Sequence, residues 1–221
     1  MSLSFPEAVF LDWDGTLVDS YKFLYNAHNY AQRSLGIREC TIDEFEKYFG
    51  RPREQLYKDL YGPHSREAQA LFESYVTKNH LNDLKPMEGA KDLLEALLDL
   101  DIPAGLVSNK RSDFIRAEVQ NFGWESFFVS VVGAGEAMQD KPSAAPLLLA
   151  IERASLASNL NKIWYIGDTE TDLQCAKNAG CPSVFVQTPQ EIDHNLQEYK
   201  PVLIVKNCTE LKEFLLQCHE N

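Results

Sequence analysis

The hydrophobic positions divide the chain into an all-helical stretch and a stretch of alternating short strands and helices. Over residues 20–84, apolar side chains recur at three- and four-residue spacings, which predicts helices. Glycine and proline interrupt this pattern, so we expect several short helices, over 21–35, 41–49, 52–60 and 65–80. No strand is predicted in this stretch.

The remaining sequence has a different rhythm, in which apolar runs of strand length are followed by amphipathic helical segments. Strands are predicted at 9–11, 102–107, 127–132, 163–166, 183–186 and 202–205, with helices at 90–100, 113–122, 144–154, 173–179 and 210–218. Alternating strands and helices favour a parallel sheet covered on both faces. We therefore predict an α/β fold, a doubly wound, Rossmann-like core from residues 1–18 and 86–221, with a small all-helical domain inserted at 19–85.

Composition narrows the possible partners. The 221 residues carry a formal net charge of −12, which argues against binding to nucleic acid or to an anionic membrane. The five cysteines form no CxxC pair, so we expect reduced thiols and no metal role for them. We expect neither a signal peptide nor a membrane span, and a cytoplasmic location.

Polar residues follow several of the predicted strands. Ligands of doubly wound sheets bind at the carboxyl ends of the strands, where these residues should meet. The residues concerned are Asp12 and Asp14 after the first strand, Ser108, Asn109 and Lys110 after the second, Lys141 after the third, and Asp168 and Asp172 after the fourth.

The acids in this set outnumber the cations to which we assign a role. Asp12, Asp14, Asp168 and Asp172 would carry four negative charges, against one positive charge on Lys141. The excess predicts a divalent cation, and hard oxygen ligands favour Mg²⁺ over Zn²⁺. One carboxylate is also a candidate to retain a proton and to act as a general acid.

Read singly, each fragment also fits a structural role. An Asp-Gly pair after a strand is an ordinary turn, and acids at a helix start are stabilised by the helix dipole. Ser108 suits a turn or a helix cap, and a lysine before a helix is usually exposed. The functional interpretation depends on the fragments occurring together.

Taken together, the fragments resemble the motifs of the haloacid dehalogenase (HAD) superfamily, most closely its phosphoglycolate phosphatase-like phosphohydrolases. DWDGTLVDS is similar to the first motif, VSNK to the second, DKPSAAP to the third and GDTETD to the fourth. They occur in the family's order between Asp12 and Asp172. The helical segment at 19–85 resembles the cap that such proteins insert after the first motif.

The resemblance implies a role for each motif residue. Asp12 would be the nucleophile that forms an aspartyl-phosphate, and Asp14 the general acid and base. The Asp12 carboxylate, the Asp14 carbonyl and Asp168 would hold Mg²⁺. The phosphate would be bound by Ser108, the Asn109 amide and Lys141. Asp172 would support the metal and Lys141 from outside the set of direct metal ligands.

The same resemblance separates branches of the superfamily. Dehalogenases have an aromatic residue and phosphonatases a small one at the position of Asp14, and mutases carry a histidine at the position of Leu24. In the cap, the loop 50–53 keeps the spacing from glycine to arginine that such caps use, which makes Arg53 a candidate substrate contact. An exposed arginine at a helix start is the structural alternative.

We therefore expect a Mg²⁺-dependent phosphatase that acts on a small phosphorylated metabolite, with phosphoglycolate as the first candidate. Pyrophosphatase, nucleotidase and sugar-phosphate mutase activities are alternatives within the superfamily. A receiver-like phospho-acceptor domain is the non-enzyme alternative, because it also combines acids, a hydroxyl and a lysine at strand ends. We expect a monomer or a weak dimer.

Overall fold

A computed structural model describes residues 5–48, 53–156, 159–187 and 196–219. The strands are β1 Ala8–Leu11, β2 Val18–Asp19, β3 Lys85–Pro86, β4 Ala104–Arg111, β5 Phe128–Ala134, β6 Ile163–Gly167, β7 Ser183–Val186 and β8 Leu203–Val205. The helices are α1 Tyr21–Ser34, α2 Ile42–Glu46, α3 Arg53–Tyr61, α4 Ser65–Asp83, α5 Ala90–Asp99, α6 Ser112–Asn121, α7 Ala145–Arg153, α8 Glu170–Ala179, α9 Leu196–Tyr199 and α10 Cys208–His219.

Six strands form one parallel sheet in the order β5-β4-β1-β6-β7-β8. Every residue of β1, β6 and β7 is buried, as expected for strands that are covered on both faces. From β1 the chain continues to β4 and β5 on one side of the sheet and then crosses to β6, β7 and β8 on the other side. The carboxyl end of β1 is therefore a topological switch point. The predicted fold class is confirmed.

Contacts divide the chain into two compact units, one of Met1–Val18 with Pro86–Asn221 and one of Asp19–Lys85. The larger unit contains the six-stranded sheet, and the smaller contains helices α1 to α4. In the smaller unit, His28 is buried among aromatic rings, and its Nδ1 lies 2.7 Å from the Tyr61 hydroxyl. Among the described helices, none is long and apolar enough to cross a membrane.

One strand differs from the sequence prediction in a way that affects the site. We expected Ser108, Asn109 and Lys110 to follow the second strand of the sheet, but β4 runs on to Arg111 and contains all three. Its pairing with β5 shifts register between Val107 and Arg111, where it pairs again with Ala134. The prediction was wrong because the ladder joins backbone groups, so polar side chains do not end the strand.

Candidate active site

The loop after β1 is a tight turn. The N–H groups of Leu17 and Val18 both donate to the Trp13 carbonyl, and Gly15 has a φ of 84°. A Cβ at Gly15 would lie 2.2 Å from Asp168 Oδ2. Glycine is therefore required both by the backbone conformation and by the close approach of Asp168.

Asp168 directly follows β6 and is buried. Its Oδ1 accepts a hydrogen bond of 2.9 Å from the Thr16 hydroxyl, whereas its Oδ2 has no hydrogen-bond partner among the described residues. Burial, followed by the charges of Asp172 and Asp12, raises the pKa of Asp168 well above its ordinary value. A buried carboxylate oxygen with no donor needs a cation or a proton.

Lys141 is a buried cation, contrary to the surface role that its position before a helix would suggest. Its Nζ lies 2.7 Å from Asp12 Oδ1 and 2.7 Å from Asp172 Oδ1, and its side chain is 3% exposed. It also donates to the Tyr165 hydroxyl at 3.0 Å. Burial lowers the pKa of Lys141, but the two carboxylates outweigh it and hold the pKa above its ordinary value, so the ammonium form persists.

Asp172 faces Lys141 from the first turn of α8. Its Oδ1 accepts from Lys141, and its Oδ2 accepts from the N–H and the hydroxyl of Thr169, which forms a capping box at the start of the helix. Gly167 permits this placement, since a Cβ there would lie 2.4 Å from Asp172 Cβ. Both carboxylate oxygens of Asp172 are thus engaged by the protein.

The residues of the second motif contact the same edge of the sheet. The Asn109 side chain brackets the Lys141 backbone, with Nδ2 donating to its carbonyl and Oδ1 accepting from its N–H, each at 2.9 Å. This contact fixes the loop that carries Lys141. The Ser108 hydroxyl is buried and accepts a hydrogen bond from the Lys110 N–H at 3.1 Å.

A second buried lysine, Lys110, was not among the residues predicted to have a role. Lys110 Nζ donates to Asp14 Oδ1 at 2.9 Å and to Glu118 Oε2 at 2.7 Å, and its side chain is 7% exposed. The indole N–H of Trp13 donates to the same Glu118 oxygen at 2.6 Å. Burial lowers the pKa of Lys110, but Asp14 and Glu118 raise it above its ordinary value.

The remaining predicted residue is Arg53. It is the first residue of α3, but its side chain lies outside the described part of the chain, as do residues 49–52 of its loop.

The donor set near Asp12 fits a hard divalent cation. One oxygen from each of Asp12, Asp168 and Asp172 lies within 4.8 Å of the others, and all three residues are buried. Burial raises the pKa of Asp12 to about 7 although the Lys141 ammonium lowers it. The three carboxylates outnumber the single Lys141 ammonium beside them, which leaves an excess of negative charge. A divalent cation on Asp12 and on the unpartnered oxygen of Asp168 would neutralise that excess.

Comparison with known proteins places this arrangement in a family. The model of the haloacid dehalogenase-like hydrolase family matches residues 9–186, which include every motif described above. The chain belongs to the haloacid dehalogenase-like hydrolase family. The family match confirms the resemblance and the expectation of a hydrolase, and relatives named as phosphatases support a phosphatase enzyme.

Individual relatives carry two kinds of name. The chain is 30% identical over 173 residues to a phosphoglycolate phosphatase from Aquifex aeolicus, covering 78% of this chain and 80% of the relative. It is 23% identical over 201 residues to the pyrophosphatase PpaX from Listeria monocytogenes, covering 90% and 92%. A haloacid dehalogenase-like family hydrolase from Streptococcus pneumoniae has the same fold, with a TM-score of 0.83, 24% identity and coverage of 95% and 98%.

Proposed function

We propose that this HAD hydrolase is a Mg²⁺-dependent phosphatase that hydrolyses the phosphomonoester of a small metabolite through an aspartyl-phosphate on Asp12. The observation that carries this proposal is the environment of Asp12. Its carboxylate lies 2.7 Å from the buried Lys141 ammonium and clusters with the unpartnered oxygen of Asp168. A nucleophile and its countercharges are therefore held together at the carboxyl edge of the sheet.

In the first step, an Asp12 oxygen attacks phosphorus, and the bond from phosphorus to the ester oxygen breaks. Asp14 gives its proton to that oxygen, which leaves as an alcohol. In the second step, water gives a proton to Asp14 and attacks the same phosphorus. The bond from phosphorus to Asp12 then breaks, which releases phosphate and restores both side chains.

The other residues would neutralise and orient charge. Lys141 and the Ser108 hydroxyl would bind phosphate oxygens, and the Asn109 side chain would hold the Lys141 loop in place. Asp12, Asp168 and the Asp14 carbonyl would hold Mg²⁺, which supplies positive charge to the phosphoryl oxygens. Asp172 would remain paired with Lys141, because both of its carboxylate oxygens accept hydrogen bonds from the protein.

We propose that the unit 19–85 acts as a cap over the substrate. Phosphoglycolate is the first candidate substrate, because relatives with that name include the one at 30% identity. Pyrophosphate is the second candidate, because another relative is named for that activity.

The test is phosphate release from a panel that contains phosphoglycolate, pyrophosphate, sugar phosphates and nucleoside monophosphates. Activity should require Mg²⁺, disappear on chelation and return with the metal, while Ca²⁺ should support little turnover because its coordination is looser. Full activity in metal-free buffer would contradict the metal assignment. Release of no more than one equivalent of phosphate from every donor would favour the receiver-like alternative.

A further inference from the structure

The Asp14 carboxylate is held at one oxygen. Its Oδ1 accepts from Lys110 Nζ at 2.9 Å, and no other hydrogen bond reaches the carboxylate from the described residues. The Asp14 side chain is 23% exposed, whereas that of Lys110 is 7% exposed. One oxygen is therefore anchored on a buried cation, and the other is left for an external partner.

Lys110 also pairs with a second carboxylate, which is buried. Its Nζ donates to Glu118 Oε2 at 2.7 Å, and the Glu118 side chain on α6 is 1% exposed. A carboxylate at this depth requires a cation, so Lys110 cannot leave Glu118 without a large cost. The Trp13 indole donates to the same Glu118 oxygen at 2.6 Å, and Trp13 is fully buried.

These contacts form a closed circuit. It starts at Trp13 in the loop after β1, passes through Glu118 on α6 and Lys110 on β4, and returns to the neighbouring residue of the same loop, Asp14. Because both ends belong to one tight turn, the circuit fixes the Asp14 side chain relative to its own backbone. A carboxylate that exchanges protons needs this orientation, since proton transfer depends on hydrogen-bond geometry.

We infer that Lys110, held by Glu118 and Trp13, is a positioning residue that orients the Asp14 carboxylate for proton transfer to the leaving oxygen. The inference rests on the proposed role of Asp14. Two of the three Lys110 protons are directed at carboxylates, so Lys110 acts through Asp14 and not by binding the phosphate.

A positioning role predicts a dependence on the leaving group that a structural role does not. An alkoxide leaves with difficulty unless it is protonated, whereas p-nitrophenolate leaves without a proton. The value of kcat/KM covers the steps up to release of the alcohol. It should therefore fall more for alkyl phosphates than for p-nitrophenyl phosphate when Asp14 is misaligned.

The experiment measures kcat/KM for a series of aryl and alkyl phosphates whose leaving groups span a wide pKa range. The test variant is Lys110→Met combined with Glu118→Gln, which removes the two most deeply buried charges together and leaves the Asp14 carboxylate, which is 23% exposed, without its cation. We expect its loss of kcat/KM to be at least about 10-fold larger for alkyl phosphates than for p-nitrophenyl phosphate, within the range of general acid catalysis. Lys110→Arg, which can still donate to both carboxylates, should retain a dependence close to that of the native protein.

Asp14→Asn provides the reference. If it shows no added leaving-group dependence, the proposed role of Asp14 fails, whatever Lys110 does. If Asp14→Asn shows the dependence and the Lys110 variants lose activity equally on all substrates, the positioning role is overturned and Lys110 is structural.

Combining the Lys110 and Glu118 changes with Asp14→Asn should add no further selectivity, because both act through one carboxylate. An additive result would also overturn the inference. Lys162→Met is the matched control, because this lysine is 43% exposed and pairs with Glu7 before β6. It should leave every rate unchanged.

Discussion

Two buried lysines lie beside the two aspartates of the loop after β1, each between a pair of carboxylates. We call Asp12, Lys141, Tyr165 and Asp172 the Lys141 cluster, and Trp13, Asp14, Lys110 and Glu118 the Lys110 cluster. The clusters differ in exposure, since the Asp12 side chain is 9% exposed and the Asp14 side chain 23%. They also differ in their neighbours, because the Lys141 cluster adjoins a further acid, Asp168.

This difference matches the two roles that we propose. A nucleophile that becomes phosphorylated benefits from a dry site rich in countercharges, where electrostatic interactions are strong. A group that protonates a leaving oxygen and then takes a proton from water must keep one side open. One loop therefore presents two aspartates in two environments, which differ in exposure and in the presence of Asp168.

The largest effect should come from exchanging each aspartate for its amide. Asp12→Asn should lower turnover by at least about 10⁴-fold, because the proposed nucleophile is lost. Asp14→Asn keeps the backbone carbonyl and should still allow attack on an activated aryl phosphate, but hydrolysis of the aspartyl-phosphate should stall.

Rapid-quench or mass-spectrometric analysis would reveal the phosphorylated protein in each variant. We expect it with Asp14→Asn and not with Asp12→Asn. Phosphate on the Asp12-containing peptide of Asp12→Asn, or normal turnover of Asp14→Asn, would show that the two roles are misassigned.

Removing the cation of the Lys141 cluster is the next largest change. Lys141→Ala should lower kcat/KM by about 10²-fold, by analogy with the loss of one preorganised donor. Because Lys141 is buried between Asp12 and Asp172, its removal should also lower the free energy of unfolding by about 3–5 kcal/mol.

Denaturant unfolding and kinetics on the same preparation would separate these two effects. Lys162→Ala, at an exposed lysine, should change stability by less than about 1 kcal/mol and leave kinetics alone. Native kinetics in Lys141→Ala would show that this lysine serves packing alone.

The contrast also shows what the sequence could predict. Lys141 was assigned a role because it lies in a motif, and β1, β6 and β7 were recognisable as continuous apolar runs. Lys110 had no role assigned because Asp14, the partner that links it to the site, is 96 positions away in the chain. No spacing rule links a strand residue to a loop at that separation.

A signal for the Lys110 cluster was nevertheless present. On α6, Phe114, Ile115 and Val119 are buried, and Glu118 follows Phe114 by four positions and Ile115 by three. A carboxylate on the apolar face of a helix must meet a cation. The roles of Thr16 and Tyr165 were also missed, because each depends on a hydroxyl reaching a neighbouring strand end.

Within the Lys141 cluster, the Tyr165 hydroxyl should have a moderate effect. It accepts from Lys141 Nζ at 3.0 Å and lies 2.9 Å from the Val107 carbonyl and 3.2 Å from Asp172 Oδ1. Tyr165→Phe leaves these groups buried with one partner fewer, which should cost about 1–3 kcal/mol of stability. We expect kcat/KM to fall by less than about 10-fold, because Lys141 keeps both carboxylates.

Thermal or denaturant unfolding would test this expectation, with Tyr30→Phe at an exposed tyrosine as the control. A loss of activity as large as that of Lys141→Ala would mean that the hydroxyl, and not the lysine charge, organises the cluster.

The smallest effect should come from a carboxylate closer to the surface, which sets a scale for the two buried clusters. Glu136 accepts from the Gly133 N–H at 2.9 Å and the Ser112 hydroxyl at 2.6 Å, and it pairs with Arg116 and Arg153. Burial raises its pKa, but these hydrogen bonds and charges outweigh burial and lower the pKa to about 2 from an ordinary 4.5.

A carboxylate whose pKa is lowered by folding stabilises the protein at pH values above its unfolded pKa, and this stabilisation is lost as the pH falls towards the folded pKa. After allowance for solvent screening, Glu136→Gln should cost about 1–2 kcal/mol at pH 7, and the difference from the native protein should shrink between about pH 4.5 and pH 2. Urea unfolding across this range would test the sign, with Glu7→Gln, in an exposed ion pair, as the comparison. A difference that stays constant with pH would show that Glu136 stabilises the fold by shape and hydrogen bonding, without the charge that governs the clusters around Lys141 and Lys110.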